Sequence, residues 1–238
     1  MGKIILFGNQ KGGVGKTTLT ALCAAALSGE PFKKSVYVAD LDNQQSLIRR
    51  RLADLKNFEG IPPYKVEAKT ITELLADIND LDKKHDLIFV DSAGKLDANL
   101  PIEQQEITKL LLLADFVFIP IPAGNYALDS TLDYLRFAMK VKARRTERPL
   151  QIIGLVNMAE SRTIEDKLLS EDIAEVQAMI PALRVMAQPL NRYTLYRSID
   201  TLTSIYEPGA QERAKANFAT WLNEFYNCLL YTSPSPRD

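Results

Sequence analysis

The sequence predicts an α/β fold, a single doubly wound, mostly parallel β-sheet flanked by helices. Three observations carry that expectation. Short apolar runs rich in Ile, Val and Phe alternate with longer amphipathic runs, the pattern of βαβ units. The short runs lack polar alternation, as expected of strands covered on both faces. A glycine-rich loop follows the first run directly and opens a helix, at the strand end where open α/β sheets hold their ligands.

Taken in order, strands are expected at Ile4–Phe7, Val36–Ala39, Leu87–Val90, Phe116–Ile121 and Ile152–Val156, with weaker ones at Tyr64–Ala68 and Leu183–Ala187. Helices are expected at Thr17–Ser28, which is rich in Ala and Leu, and at Thr70–Leu81, where Ile71, Leu74, Leu75 and Ile78 share a face. Three more follow at Asp129–Arg145, Ile164–Met179 and Gln211–Tyr226, the last with Ala214, Phe218, Leu222 and Phe225 on one stripe. No repeat or linker divides the chain, so residues 1–227 are expected to form one domain. Cys228–Asp238 turns abruptly to CLLYTSPSPRD. It fits a translation of the transposon-end adapter of sequencing libraries, and is expected to be a non-native tail.

Composition excludes several functions. The 238 residues carry 29 Lys+Arg and 30 Asp+Glu, a net charge of −1, so nucleic-acid binding has to rest on a local patch. His85 is the single histidine and Cys23 and Cys228 the only cysteines, too few for a Cys₄, Cys₂His₂ or His₃ zinc site. Two isolated cysteines also argue against a disulfide framework, which makes a cytoplasmic location the expectation. Apolar stretches such as Leu110–Ala114 fall far short of the ~20 residues of a membrane span, and the N-terminus lacks a signal-peptide layout. His85 lies in the polar run Asp82–Asp86 and is expected to be solvated.

The chemistry is concentrated in Gly8-Asn9-Gln10-Lys11-Gly12-Gly13-Val14-Gly15-Lys16-Thr17-Thr18. Glycines let consecutive backbone N–H groups turn inward onto phosphate oxygens, and a helix N-terminus adds its partial positive charge. Lys16 is expected to reach the β- and γ-phosphates and the Thr17 hydroxyl to ligate Mg²⁺. The strict phosphate-loop pattern has glycine where Gln10 stands, and a second lysine, Lys11, follows it. The string K-G-G-x-G-K-[ST] arises by chance roughly once in 10⁴–10⁵ chains of this length.

Two carboxylate sites accompany the loop. Val36-Tyr37-Val38-Ala39-Asp40-Leu41-Asp42 ends in D-x-D, and strand alternation puts Asp40 and Asp42 on one face. Leu87-Ile88-Phe89-Val90-Asp91 is four apolar residues and an aspartate, the form that holds Mg²⁺ through water. Together these groups describe phosphoryl transfer to water, a reaction catalysed mostly by positioning and charge neutralisation.

On these motifs the sequence resembles the deviant-Walker, ParA/MinD-type ATPases, over about Lys3 to Tyr226 and closest to the ParA partition branch. The resemblance implies ATP and Mg²⁺ as cofactors, with Lys11, Gly12, Gly13, Val14, Gly15, Lys16, Thr17 and Thr18 around the phosphates. It implies that Lys11 reaches the partner subunit's phosphates in an ATP-bound homodimer, and that Asp42 helps orient the attacking water. Lys11, Lys16 and Asp42 are then the catalytic residues, and Thr17, Asp40 and Asp91 support the metal. Asn157 falls where relatives place a polar side chain on the adenine edge, and Pro189–Arg192 resembles the loop closing over the base. Asn43 stands where the family's D-x-D-x-Q-x-S motif usually has proline, and Ser92-Ala93-Gly94 departs from the usual proline after the Walker B aspartate.

Three uses of such an ATPase compete. The favoured one is plasmid or chromosome partition: an ATP-bound dimer holds DNA without sequence preference, nucleoid-associated, until a ParB-like partner stimulates hydrolysis. Phosphate contacts could come from the basic run Arg136–Arg148, from Arg49-Arg50-Arg51, or from Arg184, Arg192, Arg197 and Arg213. The alternatives are a MinD-like membrane-cycling positioner, which needs a basic C-terminal amphipathic helix, and a conjugation-linked ParA relative. A nitrogenase-type iron protein would need paired cysteines, and a bacterial tyrosine kinase a tail of clustered tyrosines. Neither pattern is present.

Overall fold

The computed structural model describes residues 2–92, 101–122, 128–146, 148–159, 164–198, 200–205 and 211–230. In chain order the elements are β1 (Lys3–Phe7), α1 (Lys16–Ser28), β2 (Val36–Asp40), α2 (Ser46–Asp54), β3 (Lys65–Ala68), α3 (Ile71–Lys84), β4 (Leu87–Asp91), α4 (Pro101–Leu113) and β5 (Phe116–Pro122). There follow α5 (Leu128–Arg144), β6 (Gln151–Ala159), α6 (Ile164–Met179), β7 (Arg184–Val185), β8 (Leu190–Asn191), α7 (Leu195–Ser198) and α8 (Glu212–Leu230). The strands form one sheet in the order β3-β2-β4-β1-β5-β6-β7, with β8 also paired to β6. Every described pairing is parallel, so the α/β expectation holds.

Alternation along each strand divides the core in two. Ile5, Phe7, Phe89 and Phe118 face α1 and α8, where Cys23, Leu27, Phe218, Trp221 and Phe225 close the layer. Ile4, Leu6, Ile88, Val90, Val117 and Ile119 face the opposite side, under Leu74 of α3, Leu110 and Leu111 of α4, and Leu135 and Ala138 of α5. The alanines of α1, Ala24, Ala25 and Ala26, are buried and let that helix lie close on the sheet. Thr70 caps α3 with a reciprocal Glu73 contact, a device worth about 1 kcal/mol.

Some expected boundaries shift. The expected strand Leu183–Ala187 shrinks to β7, and α2, α4, α7 and β8 enter where no element was anticipated. The last helix runs to Leu230, burying Cys228 and Leu229, and the Leu229 carbonyl accepts a hydrogen bond from Lys3 Nζ. Helix α8 thus continues three residues beyond 227, and residues 231–238 lie outside the described residues. His85 is half-buried rather than solvated: its Nδ1 lies 3.0 Å from Ser35 Oγ, and its ring 5.3 Å from that of Tyr37.

The basic clusters are corrected too. Arg51 is buried with its guanidinium 4.0 Å from the Tyr64 ring centre, so Arg49-Arg50-Arg51 does not present three cations. In the run Arg136–Arg148, Arg148 pairs with the buried Asp115. Arg145 donates to the Leu111 and Ala114 carbonyls at the end of α4. These two are packing residues.

Candidate nucleotide site

β1 ends between β4 and β5, so the loop that leaves it is held from both sides. Gly8 N–H donates to the Phe118 carbonyl at 2.9 Å. A Cβ at Gly8 would lie 2.3 Å from Tyr134 Oη, which explains the glycine. Asn9 is buried and works at both ends. Its Nδ2 donates to the Pro120 carbonyl (2.9 Å) and to Thr131 Oγ1 (3.0 Å), and its Oδ1 accepts from the Lys11 N–H at 2.9 Å. Gly13 and Gly15 have φ of 78° and 94°, the left-handed region that glycine enters without strain. Gly15 is the N-cap of α1.

Lys16 is nearly buried, and its ammonium donates to the Asn9 carbonyl (3.0 Å) and the Lys11 carbonyl (3.2 Å). Burial lowers its pKa, while Asp91 and then Asp42 oppose that shift. A phosphate oxygen is a stronger acceptor than either carbonyl, so this ammonium is placed to exchange them for an anion. Lys11 is half-buried, and no described carboxylate forms an ion pair with it.

The sheet register brings two of the three aspartates together. β2 and β4 are neighbours with Asp40 opposite Asp91. Thr17 Oγ1 donates to Asp91 Oδ1 at 3.2 Å, whereas Asp91 Oδ2 is buried without a hydrogen-bond partner. Burial, reinforced by Asp40 and Asp42 and opposed by Thr17 and Lys16, pushes the Asp91 carboxyl up to about 7. Both oxygens of Asp40 accept backbone N–H groups, from Asp42 (3.1 Å) and Ile48 (3.0 Å), so Asp40 ties the loop to α2. Asp42 is half-exposed, with Oδ1 accepting from Gln44 N–H at 3.0 Å. An orphaned buried carboxylate oxygen beside a hydroxyl, at the mouth of a phosphate loop, fits the hard oxygen donors that Mg²⁺ requires.

Asn157 sits at the end of β6, with its Nδ2 donating to the Val14 carbonyl at 2.8 Å. In this geometry the side chain braces the loop from the β6 side. Beside it Gly15, Thr18, Met158, Asn191, Arg192 and Tyr196 line a small cleft. The expected Pro189–Arg192 loop thus meets the glycine loop. Sequence reasoning did not find Asn9, Thr131 or Tyr134. The only available signal was a residue able to donate and accept at once, placed between a strand and a lysine.

A parallel sheet whose first strand feeds a glycine loop carrying an inward lysine, with an aspartate closing on its threonine, defines a P-loop nucleotide-binding domain. Within that class, residues 5–197 match the family described as the CobQ/CobB/MinD/ParA nucleotide binding domain, and the chain belongs to that family. The ParA/MinD-type resemblance of the motifs is thereby borne out. The chain is 24% identical over 213 residues to the maintenance of carboxysome distribution protein A of Halothiobacillus neapolitanus (strain ATCC 23641 / c2), covering 88% of this chain and 89% of that protein. Its fold is similar to that of Cyanothece apo McdA, with a TM-score of 0.69, 15% identity and coverage of 94% and 100%. It is also similar to Mycobacterium smegmatis cobyrinic acid a,c-diamide synthase with bound ATP analog and magnesium, with a TM-score of 0.68, 18% identity and both chains fully covered.

Proposed function

We propose that this protein is a ParA-like ATPase that binds ATP with Mg²⁺, dimerises around it, and hydrolyses it to ADP and phosphate. The dimer holds DNA without sequence preference, and a ParB-like partner triggers its release during plasmid or chromosome partition. The observation that carries the reading is the contrast between the two lysines. Lys16 is folded into its own loop by two carbonyls, whereas Lys11 lends that loop only its backbone. A cation in that position is free to meet phosphate charge across an interface, where low dielectric makes the pairing strong.

Thr17, Asp91 and Asp40 would hold Mg²⁺, which supplies charge neutralisation at the β- and γ-phosphates. Asp42 has one oxygen tied to Gln44 and would use the other to orient water. Arg50 Nη2 donates to the Arg197 carbonyl at 3.2 Å, which brings Arg50 and Arg197 together as cations suited to phosphates, with Arg49 exposed next to Arg50 in the sequence.

The membrane-cycling alternative needs a basic amphipathic helix free to lie on a membrane, and α8 is not that helix, because it commits Ala214, Phe218, Trp221, Leu222 and Phe225 to the core. A protein assembly as cargo is favoured by one specific observation, the carboxysome-distribution relative.

The test is Lys11→Ala in analytical ultracentrifugation. Wild type is expected to dimerise with ATP and Mg²⁺ but not with ADP, whereas the variant stays monomeric with ATP while still binding ADP. Variant dimers as abundant as wild-type dimers would refute the cross-subunit lysine.

A further inference from the structure

The far side of the α4–α5 layer, away from the glycine loop, carries a groove that the nucleotide reading does not use. It is about 700 Å³ in volume and is lined by Gln104, Gln105, Thr108, Lys109 and Leu112 of α4 and by Phe137, Lys140, Val141 and Arg144 of α5. The spacings are those of helix faces: i, i+1, i+4, i+5 and i+8 on one wall, and i, i+3, i+4 and i+7 on the other. A second cavity of about 430 Å³ shares Leu112 and Arg144 and extends the channel past Leu113, Ile78 and Ile4 to Asp82, Arg145 and Arg148.

The charge in this groove is one-sided. Lys109, Lys140 and Arg144 are exposed and form no ion pair with a described carboxylate, and among the described residues no Asp or Glu lines the first cavity. This contrasts with the rest of the same basic run. Arg136 is paired with Asp133, and Arg148 with Asp115. Between the unpaired cations lies apolar surface: Leu112 is 51% exposed, and Val141 and Phe137 form the floor. Leaving such a side chain in water has a cost that burial by a partner removes.

We propose that this groove docks an acidic, amphipathic helical segment of a partner protein. Its apolar stripe would cover Leu112, Phe137 and Val141, and its carboxylates would meet Lys109, Lys140 and Arg144. The groove walls span about 12 Å, two helical turns at 1.5 Å per residue, and the second cavity prolongs the track. This is the helix-in-groove mode, read as anchors every third and fourth residue. A nucleic-acid backbone matches the cations but offers nothing to the leucine and phenylalanine between them, so the apolar floor favours the peptide. The proposal stands on this surface alone and does not depend on ATP-driven dimerisation.

The probe is a fluorescein-labelled helical peptide of about 18 residues, with leucines at i, i+3, i+4 and i+7 and glutamates elsewhere, read by fluorescence anisotropy. Wild type is expected to bind it with an affinity that falls as salt rises. Lys140→Glu with Arg144→Glu should weaken binding at least about tenfold, Leu112→Ser about threefold, and a glutamine-for-glutamate peptide should bind about tenfold more weakly. All three positions are exposed, so the variants should keep the wild-type melting temperature, and nucleotide binding serves as an internal control. The proposal is overturned if wild type binds no peptide at millimolar concentration, or if the variants bind as tightly as wild type. Equal binding of a sequence-scrambled peptide would reduce the groove to nonspecific electrostatics. A random DNA duplex that competes for the groove, and is weakened by the same substitutions, would make it a nucleic-acid surface instead.

Discussion

Asp91→Asn should stabilise the nucleotide-free protein, and the gain should depend on pH. The folded environment pushes the Asp91 carboxyl from 3.8 up to about 7, and every tenfold change in proton affinity is worth about 1.4 kcal/mol. The ionised side chain therefore costs at most about 4 kcal/mol at high pH. Below about pH 4 the carboxyl is protonated in both folded and unfolded chains and the cost vanishes. Between about pH 4 and 7 the unfolded chain ionises first, so wild-type stability falls, and above that it levels off. Asparagine mimics the neutral carboxyl and can still accept from Thr17 Oγ1. The attraction of Lys16 is already counted in that net shift, and relaxation and water entry around the charge reduce the gain to about 2 kcal/mol. For a domain of this size that raises the melting temperature by about 4–8 °C. Thermal unfolding in EDTA, from about pH 4.5 to about pH 8.5, reads the effect: the variant should gain progressively as pH rises, then lose wild type's extra stabilisation by magnesium and ADP. A difference that is constant with pH, or of opposite sign, would refute the claim that a desolvated carboxylate waits here for a cation.

Gly8→Ala would drive a methyl against Tyr134, whose Oη lies 2.3 Å and ring carbons 2.7 Å from the Cβ position; urea unfolding should show a loss of about 1–3 kcal/mol. Phe225→Ala removes a ring stacked on Phe7 and Trp221 and tilted against Phe118 and should cost about 3–5 kcal/mol by the same measurement. Asn9→Ala leaves the Pro120 carbonyl and the Lys11 N–H without their partner, so calorimetry should show ATP affinity falling about tenfold with the fold retained.

The sheet was legible because its strands are buried on both faces, so runs such as Leu87–Val90 and Phe116–Ile121 stand out without alternation. What escaped has physical causes. In α2, Ser46–Asp54, the buried positions are Leu47 and Arg51. An arginine stacked on Tyr64 occupies a core slot, so the sequence looked like a charge cluster rather than a helix. In α4 the buried set is only Ile107, Leu110 and Leu111, while Leu112 beside them is exposed, which blurs the stripe. β7 and β8 are two residues each and exist through pairing with β6, a long-range fact. The loop lysines, Thr17 and Asp91 were readable as a motif. The bracing of the loop by Asn9, Thr131 and Asn157 was not, because those partners lie more than a hundred residues apart.

Strand order explains why the charges meet. β2, β4 and β1 are neighbours, and their C-terminal ends carry Asp40, Asp91 and the glycine loop in that sequence across the sheet. Parallel pairing sets all three ends at one edge, and the register Asp40↔Asp91 leaves two carboxylates about one strand spacing, ~5 Å, apart. Such a pair repels unless a cation sits near it, and Lys16 is the cation the chain itself provides. On the other side, β5 and α5 hold the loop through Phe118, Pro120 and Thr131. A change in α5 is therefore transmitted to Asn9 and from there to the Lys11 N–H and the Lys16 ammonium, whereas a change in β2 acts first on the carboxylates. The cations are controlled from one half of the sheet and the anions from the other. A substitution in Thr131 should accordingly alter nucleotide affinity without moving the Asp91 titration, whereas one in Asp40 should lower the Asp91 pKa and also weaken binding of the Mg²⁺–nucleotide.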